Sequence, residues 1–122
     1  MKGGISCAND VTAFRDDRYA TLWELAGPPS GLRTMSAALA IVDPGKTSPP
    51  HWHEATEEIY MIVSGSGLMY LGDAVRHVSS GDCVSIPVGL VHAIGNPGPE
   101  PLTMWVATSP PYDEQDDFEI DG

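Results

Sequence analysis

Apolar residues fall along the chain in short runs of four to six positions, and no stretch keeps a helical period for three turns. The runs with β character are residues 38–42, 59–63, 68–71, 75–78, 83–86, 91–94 and 102–107. Between them lie DPGKTSPP, SGSG, GDA, SSGD, PVG and NPGPEP, all turn chemistry. Glycine and proline make up 24 of the 122 residues and act as punctuation rather than as a low-complexity block. Many short strands at this spacing predict an all-β sandwich or barrel. Gly72-Asp73 is the expected tip of a hairpin. RYATLWELA, around residues 19–26, suits a short helix, an arm or a strand.

A chain of 122 residues is expected to form one domain over 1–112, followed by an acidic, flexible tail over 113–122. The net charge is −11, and six acids sit in the last ten residues: Asp113, Glu114, Asp116, Asp117, Glu119 and Asp121. Such a balance argues against nucleic acid, whose phosphates require a basic footprint. No apolar run approaches the roughly 20 residues of a membrane helix. MKGGISCAND lacks the apolar stretch of a secretory signal, so a cytoplasmic location is expected. In that compartment Cys7 and Cys83 stay unpaired, with Cys83 expected as a small buried filler.

The candidate chemistry lies in PPHWHEATEEIYMIV. On a strand His51 and His53 point to one face and Trp52 to the other, so two imidazoles can reach one cation. An isolated pair of this kind more often packs or hydrogen-bonds. Parity along one straight strand puts Glu57 on the histidine face, whereas a turn in the EAT segment would put Glu58 there, and parity alone leaves both open. In GDCVSIPVGLVHAIGN the strand stops at Pro87, which lacks an N–H. A turn with Pro87 second and Gly89 fourth then presents His92 on a fresh strand, with Ile94 and Asn96 on its face. His77, beside Arg76, is expected to face solvent and is left out of the site.

The positions Gly45, His51, His53, Glu58 and Gly65, then Gly81, Pro87, Gly89, His92 and Asn96, resemble the two-part signature of the cupin superfamily. Every fixed position is filled, and 15 residues separate the two parts. The resemblance implies a small antiparallel β-barrel of jelly-roll type with a metal inside, and it favours Glu58 over Glu57. It makes His51, His53, Glu58 and His92 the four metal ligands. Such a donor set suits one divalent transition metal ion per chain, Fe, Mn, Zn or Ni. One carboxylate leaves a formal +1 for an anionic or oxygen-rich small-molecule substrate, and an octahedral ion keeps two open positions. Tyr60 and Ile62, by parity with Glu58, and Ile94, by parity with His92, are expected around the ion, with Tyr60 the candidate catalytic group. Trp105 is expected to pack, Asn96 to fix a turn, and Glu57 to be solvated.

Cupin-like proteins include oxygenases, isomerases, cyclases, decarboxylases and sugar binders, so fold alone does not select a function. With no strong acid or base expected beyond Tyr60, metal-dependent oxygenase chemistry is placed first. A non-redox isomerase, cyclase or lyase comes second, and a non-catalytic sugar or metabolite binder third. The resemblance also implies a homodimer, with ATLWELAGPP as an arm exchanged between subunits.

Overall fold

The structure, a computed structural model, describes residues 3–11, 13, 15, 16 and 19–120. Eleven strands follow in order: β1 (Arg15–Asp16), β2 (Ala20–Ala26), β3 (Ser36–Val42), β4 (His51–Trp52), β5 (Glu57–Ser64), β6 (Ser66–Leu71), β7 (Ala74–Ser79), β8 (Cys83–Ile86), β9 (His92–Gly95), β10 (Leu102–Ser109) and β11 (Phe118–Glu119). They form two antiparallel sheets, ordered β1-β2-β3-β10-β5-β8 and β11-β4-β9-β6-β7. Each expected run lies within or overlaps one of these strands, and the ambiguous residues 19–26 supply β2. This is the all-β jelly-roll barrel that the turn spacing and the motif implied.

Strict alternation explains how the two sheets close on each other. Along β3 and β10 every second residue is buried, and β5 buries Glu58, Tyr60 and Ile62 while exposing Glu57, Ile59, Met61 and Val63. Val42, Leu102, Met69, Ile94 and Ile86 meet between the sheets, each at most 2% exposed. Burying each such side chain is worth roughly 1.5–3 kcal/mol, which is what holds the sheets together. Gly65 turns β5 into β6 with φ +81°, and a Cβ there would collide with the Pro101 carbonyl, so only glycine fits.

One expectation changes. Cys83 is exposed rather than a buried filler, because the inward positions of β8 are Val84 and Ile86. Cys7 is exposed too, and both thiols are free. In the acidic tail, strand β11 pairs with β4, Phe118 stacks on Trp52 at 4.7 Å, and the Ile120 N–H donates to the Pro50 carbonyl. Asp121 lies outside the described residues. The residues read as an arm supply β2, which pairs with β3.

The outer side of the six-stranded sheet carries an uncharged row. Trp23, Leu39, Trp105, Met61 and Cys83 stand side by side across β2, β3, β10, β5 and β8. Trp105 therefore packs on this face, and Met104 and Val106 turn inward.

Candidate metal centre

His51, on β4, stands directly opposite His92, on β9, in the antiparallel register. The strand expected to carry both His51 and His53 ends at Trp52, so His53 sits just beyond it, where the chain leaves the ladder. The bend over residues 54–56 then resets the alternation, which puts Glu58 inside and Glu57 out. The second turn lies one residue later than expected. The Leu90 N–H donates to the Pro87 carbonyl, with Gly89 third in the turn at φ +78°, the position of a type II turn that demands glycine. The Gly89 N–H then donates to the His53 carbonyl at 2.8 Å, so the two motifs are tied to each other. Asn96 is buried and bonds the Val42 and Glu100 carbonyls and the Gly98 N–H, fixing the 96–100 turn.

One ligand-type atom from each of His51, His53, Glu58 and His92 lies within 4.8 Å of the other three, and all four residues are buried. The His51 and His92 rings are 4.2 Å apart between centroids, and His53 is 5.3 and 5.5 Å from them. Glu58 Oε1 is 2.8 Å from His53 Nε2 and 3.1 Å from His92 Nε2. His77, by contrast, is exposed on β7.

The outer nitrogens show which tautomer the cluster holds. Each imidazole presents Nδ1 to a backbone carbonyl: His51 to Pro49 at 2.9 Å, His92 to Leu90 at 2.9 Å, and His53 to Asp116. A carbonyl only accepts, so each Nδ1 carries the proton and each neutral ring turns the Nε2 lone pair inward. Lone pairs from three buried rings and a buried carboxylate then face one another. Positive charge must sit among them, either as protons or as a cation. His53 Nε2 is within ion-pair distance of Glu58 yet lacks a properly directed hydrogen bond. The donor set fits a divalent ion on these grounds.

Without a cation, protons fill the gap. Burial opposes charge on His53, but the Glu58 carboxylate close beside it outweighs burial and raises its pKa to about 9. Burial would raise the pKa of Glu58, but the imidazoles of His53 and His92 beside it hold it down to about 2. His51 is pushed down by burial and by the charge of His92. At pH 7.5, below His53's value of about 9, His53 therefore carries a proton that an incoming metal must displace. Metal titrations at pH 7.5 in buffers of different ionisation enthalpy should show about one proton released per ion, fading as the pH passes 9. Equal heats in all buffers would contradict this.

His51, His53 and Glu58 form one wall of a cavity between the sheets, with about 680 Å³ of empty space counting its open mouth. Tyr60, Ile94, Met104 and Val106 line it as well, and the Tyr60 ring lies edge-on to His92 at 6.2 Å. Polar side chains that were not expected also line it, among them Tyr19, Glu24, Tyr112 and Asp117. Glu24 is half-buried, and burial lifts its carboxyl above the usual range. One signal pointed to it, an acid in step with Ala20 and Leu22 once ATLWELA is taken as a strand.

A cupin domain model matches residues 38–108, which include both motifs and most of the barrel. The chain belongs to the cupin family. This cupin is 41% identical over 82 residues to protein MJ1618 of Methanocaldococcus jannaschii, spanning 67% of the chain and 66% of that protein. It is 36% identical over 89 residues to a gentisate 1,2-dioxygenase of Ralstonia, spanning 67% of the chain but 24% of the dioxygenase. The chain thus spans less than two thirds of the length of either relative. The polyketide cyclase RemF of Streptomyces resistomycificus superposes on 100% of this cupin and 87% of RemF, with a TM-score of 0.80 at 24% identity. The relatives in sequence thus include a dioxygenase, RemF shares the fold, and the buried four-residue cluster fits a cupin metal site. No helix among the described residues is long and apolar enough to cross a membrane.

Proposed function

We propose that this cupin holds one divalent transition metal ion, Fe, Mn, Zn or Ni, on His51, His53, Glu58 and His92, and moves protons within a small, oxygen-rich, anionic substrate. The reaction class is a non-redox isomerisation, cyclisation or lyase step. The observation that carries this reading is Glu24, an acid with a raised pKa in the cavity that His51, His53 and Glu58 also line. Oxygenase chemistry rests on a pocket without a second acid or base, and Glu24 and Asp117 remove that premise. A bound ion would supply Lewis-acid polarisation of a substrate oxygen. Glu24 would take up or deliver the proton, a task matched by a carboxyl shifted toward neutral pH. Tyr60, edge-on to His92, is the candidate group for orienting the substrate's oxygen.

The oxygenase reading keeps one support, the 36% identity to a gentisate 1,2-dioxygenase. Metal analysis followed by two assays separates the readings. Metal-loaded protein, incubated in D2O with small hydroxyketones, diketones and oxo acids, should place deuterium beside the carbonyl without consuming oxygen. Oxygen uptake by iron-loaded protein with catechols or diketones, and no exchange with any metal, would give the oxygenase reading the site.

The homodimer implied by the family resemblance would bury the uncharged row of Trp23, Leu39, Trp105, Met61 and Cys83 against its copy. The acidic balance argues for a small-molecule partner and against nucleic acid, and a cytoplasmic location remains the expectation from sequence.

A further inference from the structure

His53 differs from the other two imidazoles in what holds it. His51 and His92 bond carbonyls two residues back in the chain, so their strands orient them locally. The Nδ1 of His53 donates instead to the Asp116 carbonyl, 63 residues further along. The carboxylate of the same residue accepts N–H bonds from Glu54 at 2.7 Å, Ala55 at 3.0 Å and Thr56 at 3.1 Å. Those three residues form the bend between His53 and β5, the bend that brings Glu58 rather than Glu57 inward. Asp116 therefore touches one ligand directly and caps the segment that sets the register of another.

The surrounding chain keeps Asp116 in place. Asp113 caps the turn before it through the Gln115 N–H at 2.9 Å. After it, Phe118 and Glu119 pair with Trp52 and His51, and the Phe118 ring stacks on Trp52. Slight burial works against charge on Asp116, but its N–H bonds hold the carboxyl below the usual range, so the cap stays ionised near neutral pH.

We propose that Asp116 is a positioning residue of the metal centre, its carbonyl fixing the tautomer and angle of His53 while its carboxylate locks the 54–56 bend that delivers Glu58. This rests on the reading of the four buried groups as a metal centre. A group that orients a metal-bound histidine typically changes metal affinity 10–100-fold when lost. The side chain acts here through the bend and through the placement of its own carbonyl.

The test uses the full chain with Asp116→Ala and Asp116→Asn and takes Co2+ as the probe. Three quantities are read: Co2+ affinity by chelator competition, the visible absorption of the Co2+ complex, and the melting temperature of the metal-free protein. Asp116→Ala should weaken Co2+ binding 10–100-fold and alter the absorption bands. Asp116→Asn keeps one acceptor oxygen and should fall between that variant and the parent. If Asp116→Ala does not fold, Asp116→Asn carries the comparison. Binding within twofold of the parent with unchanged bands overturns the proposal. A lower melting temperature alone, with the bands unmoved, also overturns it, because that is all a simple turn cap would do. A parent protein that binds no Co2+ overturns the metal-centre reading itself, and this inference with it, before any variant is compared.

Discussion

His92→Ala should empty the centre of metal while His77→Ala leaves it loaded. His92 is 1% exposed, stands opposite His51 across β4 and β9, and places Nε2 3.1 Å from Glu58. Removing its ring takes away one of four donors and leaves a buried void beside a carboxylate that loses one of its two imidazole partners. Loss of an orienting group alone typically costs 10–100-fold in affinity, so loss of a donor should cost more than tenfold. Metal content after purification and dialysis, about one ion per chain in the parent, should fall below about a tenth in His92→Ala. His51→Ala, its partner in register, should behave alike. His77 is exposed and has no place among the four groups. Equal loss from the His77 variant would show that the wrong set was chosen.

Glu24→Gln should leave metal content intact and slow turnover by roughly 10²–10⁴-fold, the usual contribution of a positioned acid or base. The amide matches the carboxyl in shape and polarity but cannot exchange a proton at working pH. Deuterium exchange into the substrate measures the effect. Burial raises the Glu24 carboxyl above its ordinary 4.5 and so keeps it protonated to higher pH than a free glutamate. If Glu24 is the base, the parent's rate should rise with pH along a limb lying above 4.5, and that limb should disappear in the glutamine variant. A variant with undiminished exchange would remove Glu24 from the chemistry and leave Tyr60 or Asp117 to be tested.

The parts of the fold that were legible in sequence are those governed by local chemistry. Turn residues bound each strand, and alternation along EEIYMIVS told inner from outer positions once Glu58 was known to face in. The four converging groups were legible only because two motifs carry them at fixed spacing, since parity alone left Glu57 and Glu58 both open. What escaped was set by distant contacts. A bend stabilised by Asp116, 60 residues and more away, decides between Glu57 and Glu58. Glu24 was missed because ATLWELA carries no turn signal that separates strand from helix, and its exposure depends on β3 beside it. Asp116 and Asp117 sat in an acid-rich stretch whose composition predicts solvation. Nothing local reveals that Phe118 finds Trp52. Cys83 was placed inside because strands bury small apolar residues, whereas its register with Met61 puts it on the outer face.

Three backbone carbonyls orient the imidazoles through contacts that involve no ion. In small metal modules where loose side chains are gathered by the ion, binding and folding are one event, and a chelator unravels the chain. The sheets, the turns and the Nδ1 bonds of this barrel are a framework of another kind. An ion bound there would have little polymer to organise, and its binding energy would go into affinity and into discrimination among ions. Trading one kind of ion for another on the bench should then leave the barrel standing.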